Sequence, residues 1–204
     1  MLRTPGFAVS DPDEVKRLIR ENPWATFVSP TSNGLVASHY PIVLEETEGD
    51  EISFVSHLGR PDDAQHELGQ HEMLVIVQGP HGYISPSWYD VRSRIPTWNH
   101  VTAHLYGVPE ILTPEENFRV LTELVEHFEG DMPHPAHLWD EPAAERVAKG
   151  TAGLRFRVTR FEARLKLSQN KPDEVHHRIV SELSGGEHYS NPELAAEMNR
   201  KHTS

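Results

Sequence analysis

The stretch Gln78–Gly107, QGPHGYISPSWYDVRSRIPTWNHVTAHLYG, gathers His81, Tyr83, Trp88, Tyr89, Trp98, His100, His104 and Tyr106 into one run. Two of the chain's four Trp and three of its five Tyr fall here. Apolar, strand-like segments flank it, MLVIV (Met73–Val77) before and VTAHLYG (Val101–Gly107) within its end. Large flat side chains set among small residues and prolines build a shaped wall, and aromatic surface holds planar ligands at low entropic cost. On the residues alone a second reading stays open, a rigid turn between two core strands whose aromatics fill volume.

Outward from this stretch the pattern is mostly β. Met73–Gln78 is almost wholly apolar, which predicts a central strand buried on both faces. Val101–Ile111 continues the β pattern. Trp24–Ser29, Leu35–Glu45 and Glu51–His57 read as strands, with Asn33-Gly34 suited to positive backbone angles in the first turn. Leu154–Leu165 alternates as one long strand. Helices sit at the margins. Asp11, Pro12 and Glu14 predict a capping box with Pro at the first helical position. A short helix fits Asp62–Leu68. Thr113, Pro114 and Glu116 start another, with Phe118, Leu121, Val125 and Phe128 on one face and Gly130 as its stop. Asp173–Leu183 and a segment capped by Asn191 complete the set. The Pro-rich stretch 132–145 is expected to wrap the surface. Several strands joined by turns, with peripheral helices, make a small barrel of mainly β (α+β) class.

HGYISPSWY (His81–Tyr89) followed by IPTWNHVTAHLYG (Ile95–Gly107), with ENPWATFVS (Glu21–Ser29) before and KLSQNK (Lys166–Lys171) after, resembles the PaiB family. Those proteins are described as FMN-binding negative transcriptional regulators with a split β-barrel fold. The resemblance runs from about Phe7 to Leu183. It implies a split-barrel domain over residues 1–171, a helical appendage over 172–204, and a homodimer holding FMN near the subunit interface. In the family a phosphate-binding stretch reads close to His-Met-Ala-Arg-Ala-Asn-Pro. Here it is His57-Leu58-Gly59-Arg60-Pro61-Asp62-Asp63. His57 and Arg60 match, and a guanidinium beside a helix N-terminus suits an anion. Asp62 and Asp63 add negative charge where a phosphate would lie, so a second reading pairs Arg60 with them. By resemblance, Lys166, Ser168 and Gln169 help hold the flavin across the dimer. Trp88 and Trp98 are the stacking candidates for its ring, and Ser85 and Ser87 flank Pro86 as hydrogen-bond donors. On a strand Trp98 faces opposite to Thr97 and Asn99, so only one of these sets meets a ligand.

Composition narrows the partners. The 204 residues suit one domain, or one with a small appendage. There are no cysteines, so disulfides, thiolate ligands and Cys nucleophiles are excluded. Neither a membrane-length apolar run nor a secretory signal is visible, in keeping with a cytoplasmic protein. The net charge of -12 argues against direct DNA binding, which draws on a basic face. The richest basic stretch, Arg155–Lys166, alternates with apolar residues like the outer face of a strand. The two C-terminal helices are joined by too long a turn, and the last is too short and too weakly basic, for a helix-turn-helix reader. Fourteen histidines are many. His100 and His104 lie on a strand, His71-Glu72 lacks the second His of HExxH, His134 and His137 flank prolines, and His176-His177 lies on a helix, so no zinc spacing emerges. A single axial His would suffice for haem, which stays an alternative cofactor. Three functions remain open: a flavin-dependent oxidoreductase or redox sensor, a haem-binding or haem-degrading barrel, and a cofactor-free regulator acting through a partner.

Overall fold

The computed structural model describes residues 4–89, 95–138 and 142–202. In chain order the strands are β1 (Ala8–Val9), β2 (Trp24–Thr31), β3 (Gly34–Leu44), β4 (Ser53–Gly59), β5 (Met73–Ile84), β6 (Thr97–Gly107), β7 (Glu110–Ile111), β8 (Thr151–Arg157) and β9 (Arg160–Lys166). The helices are α1 (Pro12–Glu21), α2 (Asp62–Gln65), α3 (Pro114–Glu129), α4 (Ala144–Lys149), α5 (Asp173–Gly185) and α6 (Pro192–His202). Hydrogen-bonded neighbours follow the order β1-β9-β6-β5-β2-β3-β4-β8-β7. The chain has the split-barrel fold, mainly β with peripheral helices. None of its described helices is long and apolar enough to cross a membrane.

The chain forms two units. The larger comprises Asp11–Val77 and His104–Phe161, the smaller Met1–Ser10, Gln78–Ala103 and Glu162–Ser204. In the larger unit β2 and β3 pair as a hairpin from Trp24↔Pro41 to Thr31↔Gly34, and β4 pairs with β8 through Phe54↔Phe156. Those two rings stack with centroids 5.0 Å apart, and both are fully buried. Val55, Leu112, Val120 and Leu124 form a cluster that seats α3 on the sheet. In the smaller unit Leu165, Leu167, Ile179, Leu183, Leu194 and Met198 are buried. A Cβ on Gly82 would come within 3.1 Å of Leu194, so glycine lets α6 approach β5 closely.

Several expectations are corrected. The alternating segment Leu154–Leu165 is two strands, because Val158 N–H donates to Ile52 O (2.9 Å) and Thr159 N–H to Tyr106 O (2.8 Å), and these bonds end β8. β5 buries one face fully and the other only partly over Met73–Val77, with Met73, Val75 and Val77 inside. The hairpin loop is Ser32-Asn33, with Gly34 (φ 110) already paired in β3, because the Glu67 carboxylate holds the Ser32 N–H (3.0 Å) and hydroxyl. Helix α3 has the expected capping box, yet it buries Asn117, Val120, Leu121 and Leu124 and leaves Phe128 exposed. Asn117 turns that face inward by donating to Ala148 O and Thr151 Oγ1, each at 3.0 Å. At α1, Asp11 accepts from Asp13 N–H, and Glu14 binds Arg17 rather than closing a box. Within the Pro-rich stretch 132–145, residues 139–141 lie outside those described, as do 90–94 of the aromatic run.

Candidate functional site

In the larger unit, strand β4 delivers His57 and then Arg60. Arg60 N–H donates to Gly150 O (2.9 Å), and its half-exposed guanidinium pairs with Asp63 (2.5 Å). The helix expected after it is a single turn of four residues, too short to act as an anion-binding terminus. Asp62 is turned away: its Oδ2 accepts from Tyr40 O–H (2.7 Å) and Ser38 O–H (3.0 Å). Those bonds, Tyr40's first, hold the Asp62 carboxyl below its ordinary pKa. Burial, then the Asp62 bond, raises that of Tyr40, whose oxygen also accepts from Gly59 N–H (3.1 Å).

Behind Asp62 lies His66, which is 1% exposed. Its Nδ1 is 2.8 Å from Ser29 Oγ and its Nε2 is 3.0 Å from Ser38 Oγ. Because Ser38 spends its proton on Asp62, the network assigns the proton of His66 to Nε2, and Nδ1 accepts from Ser29. Burial pushes the His66 pKa down, consistent with a neutral ring. His57 meets Tyr40 edge to face (6.1 Å), and its buried Nδ1 has no hydrogen-bond partner among the described residues. Burial lowers its pKa as well. Arg60 also borders a cavity of about 700 Å³ lined by Asn117, Phe118, Lys149 and Thr151 among others.

The other predicted site residues belong to the smaller unit. Ser85 and Ser87 bond each other (2.6 Å) at the 3₁₀ turn Pro86–Trp88, where Trp88 is half-buried and α5 packs against the turn. Trp98 is half-exposed and stacks on His81 at 6.1 Å, donating from Nε1 to Nδ1 (3.3 Å). Asn99 on the opposite face is fully buried, as the strand alternation requires. Tyr83 stands edge-on to Trp98 (6.3 Å), and Tyr189 packs on Tyr83 (5.1 Å). Tyr189 is 64% exposed and left-handed (φ 59), a conformation that costs a non-glycine residue and often marks functional surfaces. Sequence reading missed Tyr189, which lies on a polar turn far along the chain with no motif around it.

Lys166 Nζ donates to Trp98 O (2.9 Å) and Thr97 Oγ1, so Lys166 and Trp98 are brought together through the backbone. Ser168 is buried in a left-handed conformation (φ 61), and its hydroxyl exchanges hydrogen bonds with the Asn99 amide at 3.0 and 3.1 Å. Gln169 folds back on its own turn. It accepts from Leu167 N–H (2.7 Å) and donates to Leu165 O (2.7 Å) and Gly6 O (3.2 Å). Beside the turn is a cleft of about 280 Å³.

The model of a family described as "Putative FMN-binding domain" matches residues 1–160. The protease synthase and sporulation protein PAI 2 of Bacillus subtilis (strain 168) is 30% identical over 200 residues, 96% of this chain and 95% of that protein. Among solved structures, the flavocytochrome Anf3 from Azotobacter vinelandii aligns with a TM-score of 0.62 at 14% identity, covering 81% of this chain and 72% of that one. The FAD and heme binding protein from Mycobacterium smegmatis aligns at 0.59, also with 14% identity, covering 85% and 79%. These two likenesses establish the fold alone.

Proposed function

From the premise that this chain belongs to the PaiB family of FMN-binding domain proteins, we propose that it works as a cytoplasmic homodimer with FMN at the subunit interface. His57 and Arg60 take the phosphate end. Trp98 and Trp88 border the ring, with Ser85 and Ser87 as polar contacts. Lys166 supplies positive charge, while Ser168 and Gln169 fix the shape of its turn. When bound, FMN supplies one- and two-electron transfer at its ring. The observation that carries this reading is at the end of β4. Ser38 and Tyr40 both bond the Asp62 carboxylate, and His57 keeps a buried nitrogen without a partner among the described residues. A half-exposed guanidinium, held at present by Asp63 alone among the described acidic residues, can exchange that carboxylate for a phosphate.

The role built on the cofactor is redox sensing or flavin-dependent reduction. The Bacillus relative is named a protease synthase and sporulation protein. For this chain a regulatory role acts through a protein partner, since Arg155, Arg157 and Arg160 each face a carboxylate, Glu45, Glu110 and Glu72 respectively. Haem is the second ligand to test, because the two solved neighbours are named as a flavocytochrome and a heme-binding protein. The test is a titration with FMN and with haemin, read by absorption and flavin fluorescence. Quenched flavin fluorescence is expected, with affinity falling about tenfold or more in Arg60→Ala while circular dichroism is unchanged. Unchanged affinity in that variant overturns the role of Arg60. A stoichiometric shift of the haemin Soret band without flavin quenching replaces FMN with haem.

A further inference from the structure

The cleft beside the Lys166 turn has a charge balance unlike the chain around it. Its lining includes Lys166, Lys171, Asn170, Tyr89, Thr97 and Phe7. Two ammonium groups and no carboxylate line it among the described residues, in a chain of net charge -12. Elsewhere Arg17, Arg20, Arg60, Arg155, Arg157 and Arg160 each meet an acidic side chain. Among the described residues Lys166 meets only neutral acceptors, Thr97 Oγ1 and Trp98 O, which leaves one of its three donors. Its pKa lies below the ordinary lysine value, from burial first and then from Arg164 and Lys171. An anion would offset the repulsion from Arg164 and Lys171.

Tyr89 adds an independent observation. The residue is 6% exposed, and its hydroxyl, shut off from solvent, has no hydrogen-bond partner among the described residues. A buried phenol left unsatisfied is costly. Lys171 Nζ sits 5.0 Å from the centre of the Tyr89 ring, so the aromatic face stands in for a counter-charge. The turn itself is fixed before any ligand arrives. Lys171 N–H donates to Ser168 O (2.9 Å), the Ser168–Asn99 pair anchors it below, and Gln169 ties it to Gly6.

We propose that this cleft is a phosphate site, in which Lys166 and Lys171 clasp the dianion and Tyr89 donates its hydroxyl once Lys171 swings from the ring to the anion. Two ammonium groups match a phosphate dianion better than a single carboxylate. A volume of about 280 Å³ is at the small end for ligand pockets and admits a phosphate with room for part of the group that carries it. The phosphate comes either from FMN or from a second phosphorylated molecule. The site shares Lys166 with the flavin reading but does not depend on it, since inorganic phosphate alone is the probe.

Calorimetric titration of the full chain with inorganic phosphate tests this. Lys166→Met and Lys171→Met are each expected to weaken phosphate about tenfold, and Tyr89→Phe about threefold, with melting temperatures checked for each variant. Arg119→Met, which removes a surface cation paired with Glu123, controls for net charge and leaves phosphate affinity unchanged. If FMN competes with phosphate while riboflavin does not, the phosphate is the flavin's own, and Lys166 and Lys171 hold it in place of Arg60. If FMN and phosphate bind together, a second phosphorylated molecule uses the cleft. Phosphate binding without any flavin binding retains this site and removes the flavin reading. Absence of phosphate binding in the wild type, or equal binding by the wild type and the Lys166→Met/Lys171→Met double variant, overturns the proposal.

Discussion

Two polar turns lie at the ends of β-strands in this molecule, residues 57–63 at β4 and 166–171 at β9, and they manage their charge in opposite ways. The first supplies its own counter-ion. Arg60 meets Asp63 three residues on, while Asp62 is drawn off by hydroxyl groups of β3. The second has no acidic residue, and its lysines rest on a hydroxyl, a carbonyl and an aromatic face. In sequence both look like the same device, a strand followed by polar and basic residues. The difference teaches that a cation's availability to a ligand is set by which partners the fold brings to it, and those partners are distant as often as local.

That contrast can be strained experimentally. A sizeable effect is expected from Tyr40→Phe, which removes a bond to a carboxylate and leaves Gly59 N–H without its side-chain acceptor. A loss of about 1–2 kcal/mol in urea unfolding is expected, together with weaker FMN binding as Asp62 is released near Arg60. Unchanged stability and affinity would mean that Asp62 is held by other means. Next in size is the response to acid. The buried ring of His66 has its pKa lowered, so the unfolded chain takes up its proton first as pH falls. Its contribution is therefore full above the ordinary histidine value, about 6.5, and is lost progressively below it. His66→Gln should flatten the slope of the urea midpoint between about pH 6.5 and 5, and an unaltered slope would place the acid sensitivity on other groups. The smallest effects come from exchanging the two turns' charge patterns. Asp63→Asn breaks a half-exposed pair and should change stability by at most about 0.5 kcal/mol, yet tighten FMN about threefold. Asn170→Asp gives the second turn the carboxylate it lacks and should weaken phosphate by a similar factor, measured in the same titration.

Much of the fold was legible where local chemistry decides it. Thr113 and Glu116 mark the start of α3 through a reciprocal cap, and Asn191 caps α6 by accepting from Leu194 N–H (3.0 Å). The three early strands follow from their composition. The division of Leu154–Leu165 was not legible, because it is made by Ile52 and Tyr106, whose carbonyls meet Val158 and Thr159 only after the chain has folded. Nor was the inward face of α3, which is decided by a polar residue, Asn117, against the grain of the apolar pattern. At the site, His57, Arg60, Trp98 and Lys166 stood out by type and neighbourhood. Tyr89 was part of the aromatic run, but only burial reveals that its hydroxyl lacks a partner among the described residues. Whether Arg60 was paired with Asp62 or Asp63 needed Ser38 and Tyr40, more than twenty residues earlier.

The hydrogen bonds around Asp62 have a direction. Ser29 gives its proton to His66, His66 to Ser38 and Ser38 to Asp62 Oδ2, while from the other side Gly59 gives to Tyr40 and Tyr40 to the same oxygen. Two branches thus converge on one node, and three strands and the turn after them are registered through a single atom. A circuit of this kind fails unevenly. Cutting one branch leaves the other conducting, whereas removing the node silences both, so Ser38→Ala and Tyr40→Phe should each lose less than Asp62→Ala loses alone.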